Sequence, residues 1–358
     1  METMKAEELL KAAAGQQASD IFIVAGLPFS LKINNRIERY GGEILRPEDT
    51  NLAIRELYAL GKRDPQTMLE RGDDDFSFSL AGVSRYRVSV YRQRGSLAAV
   101  VRVIAFSLPD PHELGIPESV LSLGNMPKGL VLVTGPAGSG KSTTLACIID
   151  RINRTRNSHV VTLEDPIEYL HRHEKSIISQ REIATDTESY AVALRAALRQ
   201  APDVILLGEM RDHETISVAM TAAETGHLVI STLHTMGAGN TIDRIIDAFP
   251  PNQQGQIRAQ LAMVLQATIS QQLIPSVSGS VVPAFEIVRC TTAIRNMIRE
   301  AKTHQIETAV ASSAAEGMIT MDANLLKMCM DGVISPETAL ARSLSPDVMK
   351  RKLDQRPL

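Results

Sequence analysis

The stretch GLVLVTGPAGSGKSTT, Gly129 to Thr144, constrains this chain more than any other. An apolar run ends in a glycine loop that fits G-x-x-x-x-G-K-[ST], with Gly135, Gly140, Lys141 and Ser142 at the fixed places. Such a loop needs a buried strand before it and a helix after it, so it calls for an α/β fold with a mostly parallel, helix-covered sheet. Its glycines let backbone N–H groups approach phosphate oxygens, and the helix N-terminus adds partial positive charge. The stretch Gly135, Pro136, Ala137, Gly138, Ser139, Gly140, Lys141, Ser142 and Thr143 is therefore expected to bind ATP. Lys141 would reach the β- and γ-phosphates, and the Ser142 hydroxyl would ligate Mg²⁺.

The rest of the chain divides around this loop. With 358 residues there is length for two domains. SDIFIVAG and SLKINNRIERY read as strands, PEDTNLAIRELYAL as a helix, and DDFSFSLAG, VSRYRVSVYRQ and SLAAVVRVIA as an antiparallel meander with turns at Ala81-Gly82 and Arg94-Gly95. Residues 1–105 are thus expected to form an α+β domain. Residues 106–119, with three prolines, are expected to be a linker, and 120–358 the nucleotide-binding domain. Beyond the loop, the strands HVVTLED, DVILLGE and LVISTLH alternate with the helical stretches ESYAVALRAALRQ and HETISVAMTAAETG, the pattern of a doubly wound sheet. After about Pro250 the β signal fades. QIRAQLAMVLQATISQQL, AIRNMIREAKTHQI and MDANLLKMCMDG carry helical spacing, so the last hundred residues are expected to be largely helical, with a frayed tail at MKRKLDQRPL.

Composition excludes several classes. A formal net charge of −3 argues against a general nucleic-acid binder. Cys147, Cys290 and Cys329 form no C-x-x-C pair, which argues against a zinc site or disulfide framework and for a reducing cytosol. METMKAEELLKAAAG is an amphipathic helix without the apolar core of a signal peptide, and there is no apolar run long enough for a transmembrane segment.

Catalysis needs more than the loop. A P-loop hydrolase orients its water with an acidic residue at the end of a neighbouring strand. VILLGEMRD offers Glu209 there, with Gly208 where an aspartate is common; TLEDPIEYLH offers Glu164 and Asp165. Parallel strands deliver their C-terminal ends to one edge of the sheet, so Glu164 and Glu209 are expected to converge there. The blander alternative for Glu209 is a pair with Arg211. TGHLVISTLHT sets His227 and His234 on either side of a strand, with His234 just past its C-terminal end. The meander carries Arg85, Arg87, Arg92, Arg94 and Arg102: a solvated face, or cations that neutralise a leaving phosphoryl group.

In this order, the P-loop, TLEDPIEYLH, VILLGEMRD and TGHLVISTLHT resemble the Walker A, Asp box, Walker B and His box of the secretion ATPases of type II secretion and type IV pili. AIRNMIRE, Ala293 to Glu300, is similar to the C-terminal signature of the pilus retraction branch. The resemblance implies a PAS-like N-terminal domain, a RecA-like ATPase domain with a helical C-terminal part, and a homo-hexamer in the cytoplasm at the face of the inner membrane. It implies a platform protein in that membrane as partner, with a second retraction ATPase as a further candidate. Glu209 would be the catalytic glutamate, Glu164 its Asp-box partner, His234 and His227 the His box, and Arg87 and Arg102 the γ-phosphate sensors, Arg92 and Arg94 being weaker matches. The sequence departs from relatives at Met236, Gln200-Ala201 and Ala137. Read as a plain helix, AIRNMIRE buries Ile294, Met297 and Ile298 and leaves Arg295, Arg299 and Glu300 in solvent. A pilus-extension or type II secretion ATPase, a weakly hydrolysing accessory subunit and a nucleic-acid translocase are the competing functions.

Overall fold

The computed structural model describes residues 4–33, 36–104, 108–313 and 316–355. The described residues of Met1–Ser107, with Glu168–Leu170, form one compact unit; those of Leu108–Ile167 and His171–Leu358 form a second.

The first unit opens with helix α1 (Ala6–Gly15), followed by β1 (Asp20–Ile23), β2 (Phe29–Ile33), β3 (Arg36–Tyr40), α2 (Pro47–Leu60), α3 (Gln66–Arg71), β4 (Asp73–Leu80), β5 (Ser84–Gln93) and β6 (Ser96–Ile104). The strands form one antiparallel sheet in the order β3-β2-β1-β6-β5-β4. SLKINNRIERY is therefore two strands rather than one. The meander closes as expected: Arg94 and Gly95 both take positive φ, 49° and 81°, the backbone that a two-residue hairpin demands. Helix α2 starts on Pro47, and the Asp49 carboxylate accepts from the Arg46 N–H at 2.7 Å, which satisfies one orphan donor. Leu9, Leu10, Ile54, Leu57, Tyr86 and Val88 fill the core between helices and sheet. Buried Asp74 is held by a two-pronged Arg63 pair, 2.9 and 2.7 Å, and by the Tyr58 hydroxyl at 3.1 Å, so its charge is not left uncompensated.

The second unit begins inside the segment expected to be a linker. Phe106 and Ser107 lie outside the described residues, but Ile116 is buried, and Leu108 and Leu114 pack against the same cluster. Those apolar side chains override the proline signal. The elements are α4 (Glu118–Leu121), a 3₁₀ turn, β7 (Gly129–Thr134), α5 (Lys141–Thr155), β8 (His159–Glu164), β9 (Ile177–Glu182), α6 (Tyr190–Ala197), β10 (Val204–Leu207), α7 (His213–Glu224), β11 (Leu228–Leu233), α8 (Ala238–Asp247) and α9 (Pro251–Val264). They continue with β12 (Leu265–Pro275), β13 (Val281–Arg289), α10 (Thr292–Arg299), α11 (Ile306–Ala311), α12 (Met321–Met330), α13 (Pro336–Arg342) and α14 (Pro346–Asp354). The sheet order is β13-β12-β7-β11-β10-β8-β9, parallel except for the β12·β13 pair. Along β7, Leu130 and Leu132 face the cluster built with α6 to α11, whereas Val131 and Val133 face α4 and α5, so helices cover both faces of the sheet.

Two expectations fail in the last hundred residues. The stretch 265–289 is a β-hairpin, not a helix: the run beginning QIRAQ leaves the helix after Val264 and becomes a strand. The tail does not fray at Met349, which is buried within α14; residues 356–358 lie outside the described residues. In AIRNMIRE, Ile294 and Ile298 are buried as the spacing requires. Arg295, however, is not a solvated residue. Its guanidinium donates to the Ala262 and Met263 carbonyls at 2.6 and 2.8 Å, and to Gln266 Oε1 at 3.0 Å. It closes the end of α9, where the last carbonyls lack intrahelical donors. Among the described residues, no helix is long and apolar enough to cross a membrane.

Arg295→Ala is expected to lower unfolding free energy by about 1–2 kcal/mol, since it strips charged donors from helix-end carbonyls. Arg295→Lys should recover only part of it, because one ammonium cannot reproduce the forked geometry. Urea denaturation of the three proteins checks both.

Candidate nucleotide site

The loop after β7 is shaped by what surrounds it. Gly135, Gly138 and Gly140 have φ of 145°, 74° and 85°, backbone that L side chains rarely adopt. A Cβ on Gly135 would stand 2.3 Å from the Gln271 carbonyl oxygen, and one on Gly140 would stand 2.9 Å from Gln271 Nε2. The loop therefore lies directly against β12. Thr144 in the first turn of α5 donates to Gln271 Oε1 at 2.7 Å, pinning the helix to the same side chain. The α5 N-cap is Gly140, which has no side chain to satisfy the helix's first amides. Ser139 Oγ is buried with no hydrogen-bond partner among the described residues. The Lys141 ammonium is buried and donates to the Gly135 and Pro136 carbonyls at 2.9 and 2.8 Å. An uncapped helix start, an orphaned buried hydroxyl and a buried cation together suit an anionic oxygen ligand, and a nucleotide's phosphates fit that donor set.

The acidic residues arrive on neighbouring strands. β8 pairs with β10 in parallel, Leu163 opposite Leu207, so the residues that follow, Glu164 and Gly208-Glu209, emerge together. Glu164 Oε1 accepts from Thr162 Oγ1 at 2.6 Å and Gln180 Nε2 at 3.1 Å. Glu209 is mostly buried and forms an ion pair with exposed Arg211, while His234 Nε2 lies 3.5 Å from its second oxygen. The sequence alternatives for Glu209, water activation or a pair with Arg211, are thus not exclusive at the level of contacts. Asp165 follows Glu164 and is exposed.

The two histidines separate. His234 follows β11 at the Glu209 edge. His227 precedes β11, with Nδ1 2.9 Å from the Ala222 carbonyl oxygen and its own carbonyl accepting from Gly129 N at 3.0 Å. It stands at the far end of the strand from the P-loop, about 20 Å away at the rise of an extended chain. In the first unit, Arg87 and Arg102 are directly opposite each other on β5 and β6. Arg102 also donates to Asp20 Oδ1 at 3.0 Å across β1, which offsets the repulsion between the two cations. Arg92 donates to the Leu69 carbonyl at 3.3 Å, and Arg94 occupies the hairpin turn.

Sequence reasoning missed Tyr190 and Gln271. Tyr190 sits at the start of α6; burial pushes its phenol pKa up strongly, reinforced by the nearby Asp165, Glu209 and Glu164 carboxylates. Its hydroxyl explains Gly208: a Cβ there would come within 2.7 Å of Tyr190 Oη and 3.2 Å of the Leu163 carbonyl oxygen. Gly208 follows from packing, a contact that the residues around it in sequence do not reveal. Gln271 was hidden by the helical reading of β12.

A P-loop on an interior strand of a helix-covered sheet, with two carboxylates and a histidine at its C-terminal edge, defines a nucleotide-binding α/β protein. The Type II/IV secretion system protein family matches residues 3–342, and the chain belongs to that family. It is 42% identical to the type IV pilus retractation ATPase PilT of Pseudomonas aeruginosa over 96% of this chain and 99% of that protein. It is 48% identical to a twitching motility protein of Neisseria gonorrhoeae over 77% of this chain and 74% of that one. Among solved structures it resembles the pilus retraction motor PilT with bound ADP, with TM-score 0.87, 46% identity, and coverage of 97% of this chain and 99% of that one.

Gly208→Ala should cost about 1–3 kcal/mol of stability, the range for overpacking a filled site. Tyr190→Phe in the same protein should restore part of that loss. A double-mutant cycle by thermal unfolding measures the coupling, and strict additivity would show that the two positions do not meet.

Proposed function

We propose that this chain is the ATP-hydrolysing subunit of a motor that powers type IV pilus retraction and hence twitching motility. The observation that carries the reading is end-to-end similarity to a retraction ATPase, in both sequence and fold, in a chain whose P-loop, Glu164, Glu209 and His234 are all present. On this reading the first unit is the PAS-like domain and the second the RecA-like domain with its helical C-terminal part. Six copies form a ring in the cytoplasm at the inner-membrane face, and the output passes to a platform protein in that membrane. A second retraction ATPase is a further candidate partner.

The roles follow from the chemistry of each side chain. Lys141, the Ser139 hydroxyl and the backbone N–H groups of Ala137 to Thr143 hold phosphate oxygens. Ser142 Oγ would hold Mg²⁺, which when bound would help neutralise the phosphate charge. Glu209 orients the attacking water as an acceptor, and His234 beside its second oxygen limits the carboxylate's rotation. Glu164 completes the acidic edge. Arg87 and Arg102 meet the charge that develops on the leaving phosphoryl group; His227, remote from Glu209 within the unit, acts in the His box other than by touching that carboxylate.

Deletion in a piliated host is expected to give hyperpiliated cells that do not twitch. The wild-type gene should restore movement, and Glu209→Gln should not. Bald cells on deletion would instead assign the chain to pilus extension. With purified protein, Arg87→Ala or Arg102→Ala should lower kcat on the order of 10³-fold with little change in nucleotide affinity. Equal losses in rate and affinity would remove the arginines from the transition state.

A further inference from the structure

Glu286, on β13, is a carboxylate with 5% exposure that the scheme above does not use. Its Oε1 accepts from the Ala238 N–H, the first residue of α8, at 2.8 Å. The Met321 amide, at the first residue of α12, lies near enough to favour the charged carboxylate, and beside Glu286 the Phe285 N–H donates to Asn324 Oδ1 of α12 at 2.7 Å. Ser270 Oγ lies 3.5 Å from the same carboxylate, 2.9 Å from Thr134 Oγ1 at the end of the P-loop strand, and accepts from Gly237 N at 3.1 Å. The N-cap of α8 is Gly237, which has no side chain with which to cap, so Glu286 caps the helix from another strand. α12 already has its own cap, since Thr320 Oγ1 accepts from Ala323 N at 3.2 Å. For α12, then, the neighbouring Glu286 carboxylate is an addition to a helix start that is already capped.

The turn that Glu286 fastens begins at His234, the residue beside Glu209. Met236 in that turn packs against the cluster of Ile274, Ala284, Met321, Leu325, Cys329 and Met349 built around α12 to α14. Burying a carboxylate is costly, and a leucine or methionine would fill the space without that penalty. Burial pushes the Glu286 pKa up, and the Ala238 and Met321 amides oppose that rise. What the carboxylate adds beyond packing is one negative charge placed between two helix N-termini.

We infer that Glu286 is a positioning residue that locks the turn after His234 to the start of α12, so that the α12–α14 cluster moves with the nucleotide site. The inference rests on the ATPase reading and deepens it. The test uses the purified full chain. Glu286→Gln keeps the shape and removes the charge. It should lower kcat for ATP by about tenfold or more, while KM and the affinity for ADP stay within about threefold. A role in stability alone would lower the melting temperature without splitting kcat from KM. Hydrogen exchange gives the second readout. In the wild type, ADP should raise protection at residues 237–239 and 321–323 together; in Glu286→Gln, the second segment should no longer respond. If the variant does not fold, the wild-type exchange decides alone. Residues 321–323 that ignore ADP, or a variant whose kcat and affinity fall equally or not at all, would overturn the assignment. Failure of the ATPase reading is seen separately, as a wild type that hydrolyses no ATP.

Discussion

The close approach of β12 to the phosphate loop is the constraint on which the second unit depends. The Gln271 carbonyl leaves no space for a side chain at Gly135, and its amide leaves little at Gly140. The same side chain takes the Thr144 hydroxyl, so one residue sets both the path of the loop and the position of the helix that follows. With β12 against one side of β7 and β11 against the other, the strand is buried at every residue. A loop of glycines has high conformational freedom in isolation, and it can present its amides in one arrangement only because its two flanks are fixed.

The sheet edge then follows from topology. Glu164, Glu209 and His234 need no contact with one another in sequence, because parallel β8, β10 and β11 end at the same side. The same rule separates His227 from His234: they lie at opposite ends of one strand. It also accounts for Gly208. The place next to Glu209 is filled by a tyrosine hydroxyl from the start of α6, and a side chain at 208 would compete for it.

This division explains how much could be read from the sequence. The P-loop, the carboxylates and His234 were legible because each follows a short run rich in apolar residues, which marks strand and edge together; His227 instead precedes its run. The hairpin 265–289 was not, because Thr268, Ser270, Gln271 and Gln272 are polar yet buried, and their spacing alongside the α9 pattern imitates a helix. β9 was missed as well: IISQRE offers only Ile177 and Ile178 as an apolar signal, and β9 lies at the edge of the sheet. Arg295 was assigned to solvent by helical periodicity, which describes a helix's faces and not the open end of a neighbouring helix. The PAS-like assignment of the first unit came from resemblance, whereas its antiparallel meander was visible in the residues.

The polar residues that concealed β12 are the ones that give it its importance. Ser270 and Gln271 bind the P-loop strand, the first turn of α5 and the turn after His234, while neighbouring Ala267 and Ile269 join the apolar cluster beneath the sheet. At the other end of β7, a Cβ on Gly129 would meet Gln266 Cγ at 2.5 Å, and Gln266 accepts from Arg295 of AIRNMIRE. The signature helix therefore braces the start of the strand whose far end becomes the phosphate loop. Close-packed interiors do not deform continuously. A displacement of α10 therefore cannot be absorbed locally at Gly129: β12, in contact with β7 along both ends, has to share it.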